Sequence, residues 1–348
     1  MTGTFRSSPR AVILALAAAL LFGASTPLAK TLLRSSSPLV LAGLFYLGAA
    51  LAVAPASFRG STAALRTNRG QIGLLGGAVF FGGMLAPVLL LLGLRLAPAA
   101  SVSLWLTLET VATTVLAWAV FREHVDRRTW AAAALIVAAG ALLALPEGRT
   151  SVQAGLLVAL ACVCWGIDNN LTSLVSGYTP AQTTLVKGLA AGAVNLTLGL
   201  LLEPAPLRPG IVLPALLVGA LSYGVSIVLY ISSAQQLGAS RSQMVFASSP
   251  FLGVLLAWAL FREHALAVQL LAGGVMAAGI GLMLTASHEH EHAHEAMGHT
   301  HSHRHDDGHH THRHPGLPAS HRHTHPHVHE PLVHRHPHVP DLHHRHPH

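Results

Sequence analysis

The residues with the most evident capacity for chemistry are the histidines at the end of the chain. Residues 288–348 contain 24 of the 26 histidines. Many of them follow a His-x-His pattern, which puts alternate side chains on one side of an extended chain. Neutral imidazole is a common ligand for zinc, nickel, copper and cobalt. The pattern therefore predicts transition-metal binding by His288, His290, His292, His294, His299, His301, His303, His305, His321, His323, His325, His327 and His329.

A second candidate for chemistry is a carboxyl group inside an apolar segment. Glu109 lies at the centre of one such segment, and Trp105 and Thr113 lie four residues before and after it on nearly the same helical face. The sequence shows no obvious partner for Glu109 at its depth. A carboxyl in this position can exchange a proton with water, or hold a cationic solute or a metal ion. The structural alternative is a protonated carboxyl that is hydrogen-bonded to a neighbouring helix.

Two further ionisable residues, Asp168 and Lys187, lie in consecutive apolar segments. Each is six residues from the turn that joins the two predicted helices, so both are expected at the same depth in a hairpin. Pairing would offset the desolvation that each charge would otherwise suffer. The pair is either structural or part of a gate or a substrate site. Trp165 and Asn169, on either side of Asp168, are further candidates for the solute pathway, although amides also hold membrane helices together.

The segments that must position these residues are long and apolar. Charged residues make up 10% of the chain, against about 25% in a soluble domain, which excludes a soluble enzyme. A helix needs roughly 20 apolar residues to cross a bilayer. The sequence therefore predicts an all-α membrane protein with ten transmembrane helices, at 11–29, 38–56, 71–94, 98–120, 129–146, 153–174, 181–202, 211–231, 238–260 and 266–286.

Basic residues outside the histidine-rich tail predict the orientation. With the N-terminus in the cytoplasm, nine Lys and Arg residues fall in inside segments and six in outside segments. The N-terminus is therefore expected in the cytoplasm of a multi-pass protein of the cell's inner membrane. An even number of spans also places the tail in the cytoplasm.

An internal duplication divides the membrane part. Val115–His124 and Leu255–His264 are identical at eight of ten positions, at an offset of 140 residues. The predicted domains are a five-helix repeat at 11–146, a second at 153–286, and a disordered histidine-rich tail at 287–348, which has no apolar residues in core-forming numbers. Because five is odd, the second repeat is expected to be inverted. Inverted repeats are typical of transporters with a solute site near the midplane.

The two-times-five arrangement resembles the EamA type of the drug/metabolite transporter superfamily. The segments that carry the resemblance are Gly93–His124, Cys164–Ser176 and Lys187–Leu196, and the similarity covers about residues 11–286. The resemblance implies a ten-helix carrier for small metabolites, amino acids, sugars or drugs, which is not an enzyme and needs no cofactor for transport. The histidine-rich tail is an addition to the family's core.

Three hypotheses on function follow. The favoured one is a carrier of a small organic metabolite or drug-like solute that works by alternating access and has a cytoplasmic metal-binding tail. The alternatives are a carrier of divalent nickel, cobalt or zinc whose tail collects or senses the metal, and a membrane-tethered metal buffer without transport. The expected partners are the lipid bilayer, a small-molecule substrate and transition-metal ions, but no nucleic acid. A homodimer, the direction of transport and the coupling ion stay open.

Overall fold

The computed structural model of this protein describes residues 9–58, 69–121, 125–144, 148–175, 178–204, 207–237, 245–262, 265–285, 288–294, 297–303, 323–329 and 332–338. The chain divides into two compact units. One comprises Met1–Ala286 with Pro340–His348, and the other comprises Ser287–Val339.

The first unit is helical, and its described residues form ten spans, numbered in chain order. The first five are Pro9–Gly23 with Ser25–Leu32 (span 1), Pro38–Ser57 (span 2), Arg69–Ala78, Val79–Leu85 and Ala86–Leu96 (span 3), Ala99–Trp105 with Leu108–Phe121 (span 4), and Arg127–Ala144 (span 5). The second five are Gly148–Ser173 (span 6), Pro180–Leu202 (span 7), Pro209–Val218, Gly219–Val225 and Ser226–Leu237 (span 8), Ser249–Phe261 (span 9) and Ala267–Thr285 (span 10).

These spans have the length and composition of membrane helices. Within the described residues, eight helical stretches are long and apolar enough to cross a bilayer, and spans 9 and 10 are shorter apolar helices. This confirms the predicted all-α membrane architecture. Residues 238–244, at the start of the ninth predicted helix, lie outside the described residues, and the described helix there begins at Ser249.

The two repeats begin their second helices with the same local device. In span 2 the Ser37 hydroxyl accepts a hydrogen bond from the Val40 amide and Pro38 occupies the first turn. In span 7 the Thr179 hydroxyl accepts from the Gln182 amide, and the Gln182 side chain accepts from the Thr179 amide. Capping of this kind satisfies amides that the first helical turn leaves free.

Equivalent helices of the two repeats pack antiparallel, as inversion requires. Along the contact between spans 2 and 7, Val40 lies beside Gly199, Gly43 beside Leu196, and Ala50 beside Gly188, so the residue numbers run in opposite directions. Spans 5 and 10 likewise pair Ile136 with Gly279 and Gly140 with Met276. The glycines let the backbones approach closely, as small residues commonly do between membrane helices.

The duplication also appears in the helical irregularities. Spans 3 and 8 each contain a seven-residue π-helix, at Val79–Leu85 and Gly219–Val225, which are 140 residues apart. A turn at residues 106–107 interrupts span 4, and a turn at the corresponding residues 247–248 precedes span 9. Because π-helices are rare in proteins, two at the offset of the sequence repeat point to one ancestral five-helix unit.

The second unit contains strands within the histidine-rich tail. They are β1 (His288–His294), β2 (Met297–His303), β3 (His323–His329) and β4 (Leu332–His338). β1 pairs antiparallel with β4, and β2 pairs antiparallel with β3. The sequence predicts a tail without regular structure, and in these segments the structure has extended strands instead. A His-x-His spacing has the two-residue period of a strand, which accounts for the difference.

The glycine contacts between spans 2 and 7 predict a strong effect of small substitutions. An added Cβ at Gly199 would lie 2.7 Å from the Val40 amide nitrogen. We expect Gly199→Ala to lower the free energy of unfolding by about 1–3 kcal/mol through overpacking. The measurement is thermal or denaturant unfolding of the purified protein in detergent.

Gly73→Ala is the matched control, because nothing lies within 4 Å of an added Cβ there. Alanine favours a helix over glycine by about 1 kcal/mol, so this variant should be as stable as the wild type or more stable. Equal stability changes at Gly199 and Gly73 would contradict close packing of spans 2 and 7.

Candidate functional site

The two charged residues of spans 6 and 7 form an ion pair. The Lys187 Nζ atom lies 2.5 Å from Asp168 Oδ2, and the side chains are only 17% and 6% exposed. The other carboxylate oxygen, Oδ1, accepts a hydrogen bond of 2.9 Å from the Thr172 hydroxyl. The predicted pairing is confirmed, and each oxygen of the Asp168 carboxylate has a hydrogen-bond donor.

The ion pair packs against the backbone of span 3 at Gly82. A Cβ atom at this position would overlap the Asp168 carboxylate, so only glycine allows the contact. The Gly82 carbonyl oxygen also accepts hydrogen bonds from the Tyr46 hydroxyl (2.5 Å) and from Trp165 Nε1 (3.1 Å). The backbone of span 3 therefore joins side chains of spans 2 and 6 at one point.

The π-helix explains why the Gly82 carbonyl is free to accept these bonds. In this stretch the hydrogen bonds connect residues five apart, as from the Ala86 amide to the Phe81 carbonyl. The residue five positions after Gly82 is Pro87, which has no N–H group. At the next two residues, Asn195 Nδ2 of span 7 donates to the Gly83 and Met84 carbonyls at 3.2 Å each.

Glu109 has a partner that the sequence did not reveal. Asn169 Nδ2 of span 6 lies 3.0 Å from Glu109 Oε1 and 3.2 Å from the Thr113 hydroxyl oxygen. The expectation that Glu109 has no partner at its depth is therefore corrected. Glu109 also lies in the first turn of Leu108–Phe121, where the helix dipole favours a negative charge.

Asn169 lies on the side of span 6 that faces span 4, where it meets Glu109. Asn169 is an exposed residue, but so are Leu156 (66%) and Leu160 (49%), which mark the lipid-facing side of span 6. At about 100° per residue, Asn169 lies about 180° from Leu160 around the helix. Its exposed amide consequently points away from lipid, toward the neighbouring spans.

The Trp105 side chain contacts span 5 rather than the Glu109–Asn169 pair. It is 1% exposed, and its Nε1 atom donates to the Gly140 carbonyl of span 5 at 2.9 Å. The sequence predicts that Trp105 and Glu109 share a helical face, and this is corrected by the turn at residues 106–107 that separates their two helices. Trp165, by contrast, contacts the same Gly82 carbonyl as Tyr46 and so belongs to the site.

An aromatic cluster adjoins the ion-pair region. The Tyr46 ring lies 5.9 Å from that of Tyr223 in the π-helix of span 8, and Tyr223 lies 5.9 Å from Phe22 and 6.0 Å from Phe45. Sequence reasoning missed Tyr46, Gly82, Asn195 and Tyr223. A usable signal was available for Tyr46, because a hydroxyl in the middle of the apolar span 2 needs a partner inside the protein.

Most of the tail histidines that are predicted to bind metal lie in the described strands. Eleven of the thirteen lie in the strands β1, β2 and β3, whereas His305 and His321 lie outside the described residues.

Comparisons with known proteins agree with the architecture. The model of the EamA-like transporter family matches residues 9–145 and 153–285. An uncharacterized transporter of Methanothermobacter thermautotrophicus is 27% identical over 287 residues, which cover 76% of this chain and 83% of that protein. A solved crystal structure superposes with a TM-score of 0.58 at 17% identity, covering 78% of this chain and 95% of the other, and so has the same fold.

The ion pair of spans 6 and 7 predicts energetic coupling. Asp168→Asn and Lys187→Met each leave one buried charge unpaired, which typically costs about 3–5 kcal/mol. The double variant should be more stable than the sum of the two single effects implies, by about 1 kcal/mol or more. Unfolding of the four proteins in detergent measures this coupling. Strictly additive effects would show that the two side chains do not interact.

Proposed function

Because the chain belongs to the EamA-like transporter family, we propose that it carries a small organic solute across the bilayer by alternating access. The two five-span repeats, 11–146 and 153–286, would move against each other around the Glu109–Asn169 site. The carrying observation is that a carboxyl within a span of one repeat is hydrogen-bonded to an exposed amide of the other repeat, opposite the exposed leucines of span 6. A polar group exposed inside a membrane bundle is typical of a solute pathway.

The chemistry around Glu109 favours an organic solute over a metal ion as cargo. Its neighbours are the Asn169 amide, which donates hydrogen bonds, and the Thr113 hydroxyl, which can donate or accept. Divalent metals are held by sets of acceptor groups such as carboxylates, imidazoles and thiolates. A mixed set of donors and one carboxyl suits a solute that has both hydrogen-bonding edges and apolar surface.

Glu109 supplies the carboxyl of this hydrogen-bonded pair, and no described lysine or arginine forms an ion pair with it, so we assign it the coupling role. Ionised, it holds a cationic group of the solute or a coupling cation; protonated, it carries a proton. The Asp168–Lys187 pair lies between spans 6 and 7, which belong to one repeat, and contacts span 3 of the other. We therefore propose that it controls how closely the two repeats approach on this side of the site.

The proposed orientation has both termini in the cytoplasm of an inner-membrane protein. It rests on the excess of basic residues in segments on the N-terminal side. The loops that follow spans 1, 3, 5, 7 and 9 then face the extracytoplasmic side, and the tail lies in the cytoplasm.

We further propose that the tail binds transition-metal ions. In the first strand pair His288 opposes His338, and in the second His303 opposes His323. Histidines oppose histidines at the pairs 288/338, 290/336, 292/334, 299/327, 301/325 and 303/323. This register supports the proposal, because opposed residues of an antiparallel ladder lie on the same face of the ladder. Zinc, nickel, copper and cobalt are the ions that such ligands suit.

The role of Glu109 predicts a loss of transport when its ionisation is removed. Reconstituted vesicles are screened for exchange of labelled metabolites, and the variants are tested with the solute that exchanges. We expect Glu109→Gln to lose most of the activity and its dependence on pH between about 5 and 8, because the amide neither binds a proton nor holds a cation. Glu109→Asp, which still ionises, should keep a pH-dependent part of the activity.

Unchanged transport by Glu109→Gln across this pH range would show that Glu109 has no coupling role. The thermal stability of each variant in detergent is measured beside transport, so that misfolding is distinguished from lost activity.

The tail predicts metal binding that fails in acid. Protons compete with the metal for neutral imidazole, so affinity should fall sharply between about pH 7 and pH 5. Isothermal titration compares the full chain with a variant that ends at Ala286, using zinc and nickel. The full chain should bind at least one ion more than the truncated one, up to about six if four imidazoles serve each ion. Equal binding by the two chains, or affinity that is the same at both pH values, would contradict a metal-binding tail.

A further inference from the structure

A cavity of about 400 Å³ lies at one end of the bundle, where the loops after spans 1 and 7 meet the last turn of span 3. Its lining includes Arg34, Arg95, Arg208, Glu203 and Ser35. The volume falls within the range typical of sites for small molecules. With the orientation proposed above, the cavity lies on the extracytoplasmic face.

The charges around this cavity are unbalanced. The three guanidinium groups come from the loop after span 1, the last turn of span 3 and the residue that precedes span 8, and the lining contains one carboxylate, that of Glu203. In the described part of the chain the only ion pair is the one between Lys187 and Asp168, so Glu203 forms none with these arginines. Arg34 lies 5.9 Å from the centre of the Phe261 ring, a contact that leaves its charge uncompensated.

Lys30, a basic residue near the cavity, has a structural role. Lys30 Nζ donates hydrogen bonds to the Leu94 and Ala97 carbonyls, at 2.6 and 3.0 Å, where the last helix of span 3 ends. A cation at a helix C-terminus is favourable, and its presence is explained without a ligand. Arg95 lies in the last turn of that same helix, but within the described residues no hydrogen bond joins the side chain of Arg34, Arg95 or Arg208 to a helix-end carbonyl.

We propose that this cavity binds the carboxylate or phosphate group of a small anionic solute at the mouth of the carrier. Arginine presents a planar set of donors that matches carboxylate and phosphate oxygens in pairs. The Ser35 hydroxyl offers a further donor beside them. A bound anion would also offset the repulsion between the three guanidinium groups. The inference rests on the proposed function, since it specifies the class of solute that the carrier receives.

The phosphate of an anionic lipid shares this chemistry, and the experiment distinguishes the two sources. The full chain is placed in nanodiscs of zwitterionic phosphatidylcholine, and binding is measured by titration calorimetry at about pH 7.5, where the tail imidazoles are mostly neutral. The probes are succinate and glycerol 3-phosphate, with succinamide and glycerol as uncharged counterparts. A second arm repeats the titrations in nanodiscs that contain phosphatidylglycerol.

Arg95→Gln and Arg208→Gln are the test variants, and Arg149→Gln is the matched control. Arg149 is an exposed arginine in the first turn of span 6, on the same face but outside the cavity. We expect an anionic probe to bind, its uncharged counterpart not to bind, and each test variant to weaken binding by about tenfold or more, the usual effect of losing a hydrogen bond to a charged group. Arg149→Gln should bind as the wild type does.

Several outcomes would overturn the inference. They are binding of neither anionic probe, equal loss in Arg149→Gln and the test variants, and occupation of the cavity by phosphatidylglycerol alone. Because binding is measured without transport, the result is separable from the proposed function. Anion binding by a chain that exchanges no solute would contradict the carrier, whereas transport without anion binding would contradict only this cavity.

Discussion

The cost of leaving a polar group unpaired within a bilayer governs the arrangement of the whole bundle. The interior of a membrane offers no water to the backbone or to side chains, so each buried polar atom requires a partner supplied by the protein. Asp168 meets this requirement with Lys187 and Thr172, and Trp165 with the carbonyl of Gly82. Because these partners lie on spans 3, 6 and 7, satisfying them fixes the relative positions of those spans.

Close backbone contact is what lets such short polar side chains reach one another. Hydrophobic burial provides little drive between helices that are surrounded by lipid, so association depends on van der Waals packing and hydrogen bonds. Glycines along spans 2 and 7 bring the two repeats together at Gly43, Gly188 and Gly199. The absence of a side chain at Gly82 likewise allows a close approach of span 3, which places a main-chain carbonyl within reach of the Tyr46 hydroxyl. The polar site and the packing of the repeats therefore have a common origin in small residues.

The sequence predicts those features that follow from chain connectivity. The depth of Asp168 and Lys187 follows from the hairpin of spans 6 and 7, and their pairing is confirmed. Asn169 could not be matched to Glu109 in this way, because the contact joins helices of different repeats, 60 residues apart. The sequence misplaces Trp105 because the turn at residues 106–107 contains neither proline nor glycine, whereas the corresponding turn at 247–248 is followed by Pro250 in the first turn of span 9.

No amino-acid substitution at position 82 can remove the hydrogen-bond acceptor of the Gly82 contact. The acceptor shared by Tyr46 and Trp165 is a main-chain oxygen, and every amino acid at position 82 would carry the same oxygen. A mutational scan of span 3 would detect Gly82 only through the clash of a new side chain with Asp168, and would classify the position as a steric one. The electrostatic part of its contribution becomes visible only from the donor side, by removing the Tyr46 hydroxyl or the Trp165 N–H. A map of mutational effects would therefore underestimate the contribution of span 3 to these hydrogen bonds and would attribute that contribution to spans 2 and 6.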